Sequence, residues 1–458
     1  MVKFLMSLCK FNFGEFEEKE FRKFLRMGSI LTVILGIYYM MRPLKDSLFA
    51  QLVGAEYQPY AKFLSVLFIG VVVAVYTKLL DYFPKHKLLC VLPPLFYGTI
   101  TLSYAAFIWA YQGGIIKESL LTVIMGYLFY CVVESFGSIV VALFWSFSTD
   151  ITKSEAAKTG FPLVYMIGQL GTVFTPILFI NLPMSLGFGS DAISMALVGI
   201  FTFLIAPLVN HLYNKTPSDL MESQSPSKVA VEPSEKKKKT GFIEGLRLLF
   251  SHKYLIGILA VNFFFEFIAI VFDFNFKSEA SKVYSGAKLT EYYSTYNAVL
   301  GAVALAFLLL GVSRITKKLG LKKSLACIPV FFGIAITGFL SLTLFGTLNS
   351  YSLDFLFWLM VSSKAIHYSI NGPSLKQLYI PTSADVRSKT QAWIETFGAR
   401  FSKQSGSTLN LLNRVIGMAS YRLLSSCIGY VFVAAWFFVA LYLGKTHKNA
   451  TESGTNVC

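Results

Sequence analysis

The stretch GSILTVILGIYYMMRPLKD, residues 28–46, decides the reading of the fold. It is an apolar run of the length that crosses the hydrocarbon core of a bilayer, about 20 residues. It ends in a knot of charge at Arg42, Lys45 and Asp46. Runs of the same kind recur at 61–81, 88–111, 119–148, 161–182 and 192–213, then at 253–276, 291–313, 324–347, 353–373, 392–413 and 421–443. The run at 392–413 holds Glu395, Arg400 and Lys403 and is too polar to qualify by hydropathy alone. It is counted because an even number of spans keeps the basic loops on one side. An all-α polytopic membrane protein with about 12 transmembrane helices is expected.

Composition points the same way. Hydrophobic residues are 55% of the 458 and charged residues 14%, with a mean hydropathy of +0.59. A soluble chain carries roughly a quarter charged residues, so the apolar excess here must face a lipid bilayer. The net charge of +16 would suit nucleic acid, but the lysines and arginines fall in short loops between spans, and no nucleic-acid partner is expected. Lys19 to Arg26, Lys85 and Lys87, Lys236 to Lys239, Arg314 to Lys323, and Lys445 with Lys448 share one side. The loops at 112–118, 183–191 and 348–354 carry almost no positive charge. By the positive-inside rule both termini are expected in the cytoplasm, with the chain in the inner (cell) membrane.

The Ser-, Pro-, Glu- and Lys-rich segment 214–240 reads as a cytoplasmic linker dividing the spans six and six. The expected organisation is a six-helix half at 1–213, a second at 241–445, and a cytoplasmic tail at 446–458. Each half opens on an amphipathic stretch suited to the membrane interface. In the first half this is segment 11–26, with Phe13, Phe16, Phe21, Phe24 and Leu25; in the second it is Phe242, Leu246, Leu249 and Phe250. Each first span then ends in charge, Arg42-Pro-Leu-Lys45-Asp46 and Asp273-Phe-Asn-Phe-Lys277. Two same-sense halves are the plan of the major facilitator fold, with a central site between them.

Charges inside a bilayer cost about 2.5–3.5 kcal/mol or more each, so they face water, a partner or a function. Those found are Arg42, Lys45, Glu134, Asp273, Lys277, Lys364, Glu395, Arg400 and Lys403. Arg42, Lys45 and Lys277 lie near span ends, where snorkelling to headgroups would also explain them; Glu134 is deeper. Lys403 follows Arg400 by one helical turn on a stripe with Ser407. Such a set suits a phosphorylated solute, because one lysine cannot offset the lost hydration of a polyanion. The carboxylates would pair with those lysines in the empty site or carry a proton. Phe136, Trp145, Phe274 and Phe276 would stack on a purine or pack against helices and lipid. The cysteines are scattered without CxxC spacing, the histidines form no cluster, and no GxSxG or HExxH occurs. Gly444-Lys445-Thr446 lacks the upstream glycine of a phosphate loop. No metal, cofactor or enzymatic activity is expected.

Tyr379-Ile-Pro-Thr-Ser383 through Lys389, followed by Gly398-Ala-Arg400 and Lys403 to Gly406, resembles the YIPTS…K…GAR..KSGG signature of the nucleotide transporters, the ATP/ADP translocases of chlamydiae, rickettsiae and plastids. Arg42 to Asp46 resembles that family's RDTKD, Glu134 to Ser138 its ELWGS, and Asp273 to Lys277 its EVTWK. Pro43-Leu44 stands in place of Asp-Thr, Asp273 in place of Glu, and Gln404 where a small residue is usual. The resemblance spans Phe13 to about Leu443. It implies that Lys45, Glu134, Asp273 and Lys403 handle a nucleotide, with Arg42, Lys277, Arg400, Phe136 and Asn275 as further candidates. The implied activity is ATP/ADP exchange by alternating access around a basic central cavity, in a monomer, in an obligate intracellular bacterium. A proton-coupled nucleotide symporter or an NAD/ADP exchanger is the alternative, and a membrane enzyme acting on a phosphorylated lipid is the rival of a different class.

Overall fold

The computed structural model describes residues 17–152, 154–187, 189–216, 242–309, 320–344, 351–383, 390–391, 393–453 and 457, and their regular structure is all helical. The first six spans fall on α1 (Glu18–Leu52), α2 (Gln58–Tyr82), α3 (Lys85–Gln112), α4 (Leu120–Asp150), α5 (Ser154–Pro176) and α6 (Asp191–Lys215). The short α7 (Phe242–Ser251) leads into α8 (Lys253–Val283), α9 (Gly286–Leu309) and α10 (Leu321–Leu344). The last three are α11 (Ser352–Ile366), α12 (Ala399–Leu411) and α13 (Met418–Ser453). Single π turns interrupt α3 at Pro93–Gly98, extend α5 at Ile177–Asn181, follow α11 at His367–Asn371 and precede α12 at Trp393–Gly398. Among the described residues nine helices are long and apolar enough to cross a membrane; α9, α11 and α12 fall short.

Two expected boundaries move. The interfacial segment expected at 11–26 is, from Glu18 on, the first turns of α1, continuous with the span. Phe21 and Phe24 are wholly buried, and Lys23 donates to the Ile151 carbonyl. Phe24 finds a partner in α5, where Gly160 lies against its ring, so helix packing covers this face. Residues 11–16, and 217–240 of the expected linker, lie outside the described residues, as do residues 384–389 of the signature. At the other end α13 runs to Ser453, past the expected end of the span at 443 and into the expected tail at 446–458.

The chain forms two compact units. One takes in Met1–Val231 and Val283–Leu305, so that α9 packs with α1 to α6. Its strongest seam is α1 against α5. Gly28 faces Ile167, Gly168 faces Leu31, and the Thr32 hydroxyl donates to the Ile167 carbonyl at 2.8 Å. Small residues permit this approach, since lipid offers no hydrophobic drive for helices to associate. α9 is joined through Asp191 at the start of α6, which is wholly buried. Its carboxylate accepts from Thr290 Oγ1 at 2.6 Å, Gln51 Nε2 at 3.2 Å and Gln112 Nε2 at 3.3 Å. Asp191→Ala leaves those donors facing a void and costs about 1–3 kcal/mol. A lower melting temperature of the purified protein is expected, with Asp191→Asn much less affected. The second unit, Glu232–Lys282 with Ala306–Cys458, is built on α10 against α13 and on an aromatic core of Phe265, Phe332 and Trp436.

Candidate functional site

In the first unit α1 and α4 bring Lys45 and Glu134 together. Pro43 stands inside α1 without ending it, and Lys45 is only 3% exposed. The Lys45 ammonium donates to Glu134 Oε1 and lies 3.4 Å from Asp46 Oδ1. It also sits 4.2 Å from the centroid of the Tyr130 ring, one turn before Glu134 on α4. Arg42, one turn before Lys45 on α1, rests over Tyr38 and Tyr39 at 5.6 and 5.4 Å. Two cations are thus matched by two carboxylates and by ring faces, which is the condition for keeping charge in a low-dielectric setting. The pair is asymmetric in access. The Glu134 side chain is 32% exposed and that of Lys45 4%, so an anion reaching Lys45 must first displace Glu134.

In the second unit Asp273 and Lys277 pair along one face of α8 at 3.1 Å, four residues apart. Lys403 on α12 has a different carboxylate beside it: Glu266 Oε1 of α8, at 3.5 Å. Glycine sets this crossing. Gly398 packs on Leu259, and Gly406 lies against the Phe267 carbonyl, so α12 tracks along α8 on either side of Lys403. The Lys403 side chain is 50% exposed and that of Glu266 16%. On the neighbouring π turn the His367 ring stacks on Phe265, centroids 4.1 Å apart.

The remaining candidates are dispersed. Phe136 is wholly buried, stacked on Tyr38 at 6.3 Å and edge-on to Tyr97 at 5.0 Å, which places it in the core. Asn275 is also wholly buried, and its amide donates along its own helix to the Val271 carbonyl at 2.8 Å. Arg400 is exposed, Lys364 is half-buried in α11, and the Glu395 side chain lies outside the described residues.

Sequence reasoning passed over three polar groups, Asp191 and Arg422 buried and Glu266 partly so. Glu266 is hidden in the run VNFFFEFIAIVF, residues 261–272, whose hydropathy masks it. Its signal was the price of a lone carboxylate in such a run. Asp191 was assigned to a loop. Arg422, which pairs with Glu279, sits near the start of a span and belongs to no motif. Among the described residues no group of three or more His, Cys, Asp or Glu is placed to hold a metal ion.

Residues 5–447 match the sequence profile of the family described as TLC ATP/ADP transporter. Among curated proteins the chain is similar to "ADP,ATP carrier protein 1" of Rickettsia typhi, with 24% identity over 96% of each chain. It is similar to the protein of that name in Rickettsia prowazekii, with 25% identity over 94% of each. "ADP,ATP carrier protein 4" of Rickettsia bellii shares 23% over 95% of this chain and 92% of its own length. Among solved structures, a bacterial homologue of the human lysosomal transporter Spinster aligns with TM-score 0.60 at 15% identity, covering 94% of this chain and 98% of that one. A bacterial homologue of the iron transporter ferroportin aligns with TM-score 0.61 at 10% identity, covering 90% and 99%. A peptide transporter in complex with sulfate aligns with TM-score 0.60 at 12% identity, covering 92% and 95%. At these identities the likeness is one of fold, and it is that of polytopic, major-facilitator-like transporters.

Proposed function

The chain belongs to the TLC ATP/ADP transporter family, and from that premise we propose that it exchanges ATP for ADP across the cell membrane as a secondary transporter working by alternating access. The observation that carries the reading is Lys45 paired with Glu134 inside two apolar helices, a buried cation whose charge is matched by a carboxylate until an anion competes for it. In this reading Lys45 and Lys403 take the phosphates, Glu134 and Asp273 hold the cations between substrates, and Arg42, Lys277 and Arg400 add positive potential. Several cations are needed because a nucleotide's phosphates lose much hydration on entry. ATP and ADP differ by one charge, so exchange moves net charge, and the membrane potential biases it by about 2.3 kcal/mol per 100 mV. The termini lie in the cytoplasm, on the side of the basic loops, and the chain works as a monomer. The Rickettsia relatives support a bacterium living inside host cells as the setting. A membrane enzyme has no support, since the family and the fold neighbours are transporters.

The test is uptake of labelled ATP into proteoliposomes. Uptake is expected only when the vesicles are preloaded with ADP or ATP, and it is expected to persist when an ionophore collapses the pH gradient. Uptake into empty vesicles that vanishes with the gradient would replace exchange by proton symport. Counter-exchange supported by NAD as well as ADP would place the chain among NAD/ADP exchangers.

A further inference from the structure

We infer that Glu266 is the release residue of the transport cycle: it competes with the substrate's phosphate for Lys403 and reclaims that lysine as the nucleotide leaves. The inference rests on the nucleotide reading above and goes beyond it, since Glu266 lies outside every motif that carries the family resemblance.

Three observations converge on Glu266. The first is depth. At 1.5 Å per residue, Glu266 is about 20 Å along α8 from Lys253 and about 26 Å from Val283. A carboxylate at mid-span is retained only against a strong cost unless it has a partner or a task.

The second is how its cation is held. The Lys45 ammonium donates a hydrogen bond to Glu134 and is almost inaccessible, whereas Lys403 stands 3.5 Å from Glu266 with half its side chain exposed. A loose, half-exposed ion pair contributes little to stability, so an incoming phosphate displaces Glu266 without breaking the fold. The third is that the backbone fixes the competition in place. Gly398 and Gly406 hold α12 close to α8 on both sides of Lys403, and Asn410 Nδ2 donates to the Ile270 carbonyl at 3.4 Å. Lys403 therefore stays within reach of Glu266 whether or not substrate is bound, and the carboxylate remains a standing competitor.

The consequence is a split between affinity and turnover. Glu266→Gln removes the competitor while preserving side-chain shape. Binding of labelled ADP to the purified full chain is expected to tighten by up to about fivefold, the range of a half-exposed ion pair. Maximal ATP/ADP exchange in proteoliposomes is expected to fall, because release becomes the slow step. Glu266→Asp withdraws the charge by one methylene and gives the same sign with a smaller change, which keeps the test open if the Gln variant folds poorly. In Lys403→Gln/Glu266→Gln the tightening disappears, because there is no lysine left to compete for.

Weaker binding in Glu266→Gln, or binding and exchange both unchanged, overturns the inference while wild-type exchange leaves the transporter reading standing. A double variant binding as tightly as Glu266→Gln alone also overturns it, since the effect would then not run through Lys403. A wild-type protein that binds no nucleotide overturns both readings together.

Discussion

Lys45→Gln is expected to lower ATP/ADP exchange about a hundredfold while the protein still reaches the membrane. The lysine is almost wholly buried and is held by Glu134, Asp46 and the face of Tyr130. Neutralising it has two effects. It removes the cation that an entering phosphate would meet, and it leaves Glu134 and Asp46 with only Arg42 to offset them, an excess of negative charge where that phosphate must arrive. Truncating one partner of a buried charge pair costs about 2–5 kcal/mol, and 2.7 kcal/mol, about two factors of ten, lies at the low end of that range. Part of the loss is stability rather than transport, and a second substitution separates them. In Lys45→Gln/Glu134→Gln the stranded carboxylate becomes neutral, so the melting temperature is expected to recover towards wild type while exchange stays low. Thermal unfolding of purified protein and labelled-ATP exchange in vesicles read the two effects. Exchange at the wild-type rate in Lys45→Gln would remove Lys45 from the substrate path.

The two lysine pairs differ in access, and the proposed tasks differ accordingly. Lys45 lies behind a partly exposed Glu134, which suits a gate-keeping contact that opens only to a polyanion. Lys403 is already half exposed beside Glu266, which suits a looser contact.

The spans were legible because hydropathy and length are local properties, and the polar α12 was legible only through the parity of the basic loops. The helical packing of Phe21 and Phe24 was not legible, for a non-local reason. An amphipathic face reads the same whether lipid headgroups or another helix covers it, and Gly160, far along the chain, decided for the helix. The same limit hid the partner of Lys403. Motif spacing brought Asp273 forward as the acidic member, yet Asp273 is satisfied four residues away by Lys277. Glu266 meets Lys403 only through the glycine-set crossing of α8 and α12. Asp191 is a similar case: its donors Gln51, Gln112 and Thr290 come from three separate helices, and no local pattern joins them.

Gly171→Ala is expected to be the most damaging small substitution in the first unit. A Cβ built on Gly171 falls on the Thr32 carbonyl and 3.0 Å from the Gly36 nitrogen, so it meets the backbone of α1 rather than a side chain that can turn away. That carbonyl and that nitrogen are four residues apart, the spacing of the helical hydrogen bond. Relief therefore requires α1 and α5 to separate or α1 to lose a backbone bond inside the bilayer, where no water replaces it. Overpacking usually costs about 1–3 kcal/mol, and a clash with backbone lies at or above the top of that range. Two nearby substitutions set the scale. A Cβ at Gly168 meets only the Leu31 side chain, which can change rotamer, so Gly168→Ala is expected to be milder. Gly70 on α2 has nothing within 4 Å, so Gly70→Ala is expected to be silent. The measurement is the monodisperse yield and melting temperature of the three variants, expected in the order Gly70→Ala, Gly168→Ala, Gly171→Ala from highest to lowest. A Gly171→Ala protein as stable as Gly70→Ala would mean that α1 and α5 do not approach this closely. The cost also reaches function, because α1 carries Arg42 and Lys45 beyond the seam. A shift of α1 away from α5 changes how Lys45 meets Glu134 on α4, so any Gly171→Ala protein that does fold is expected to exchange nucleotide slowly.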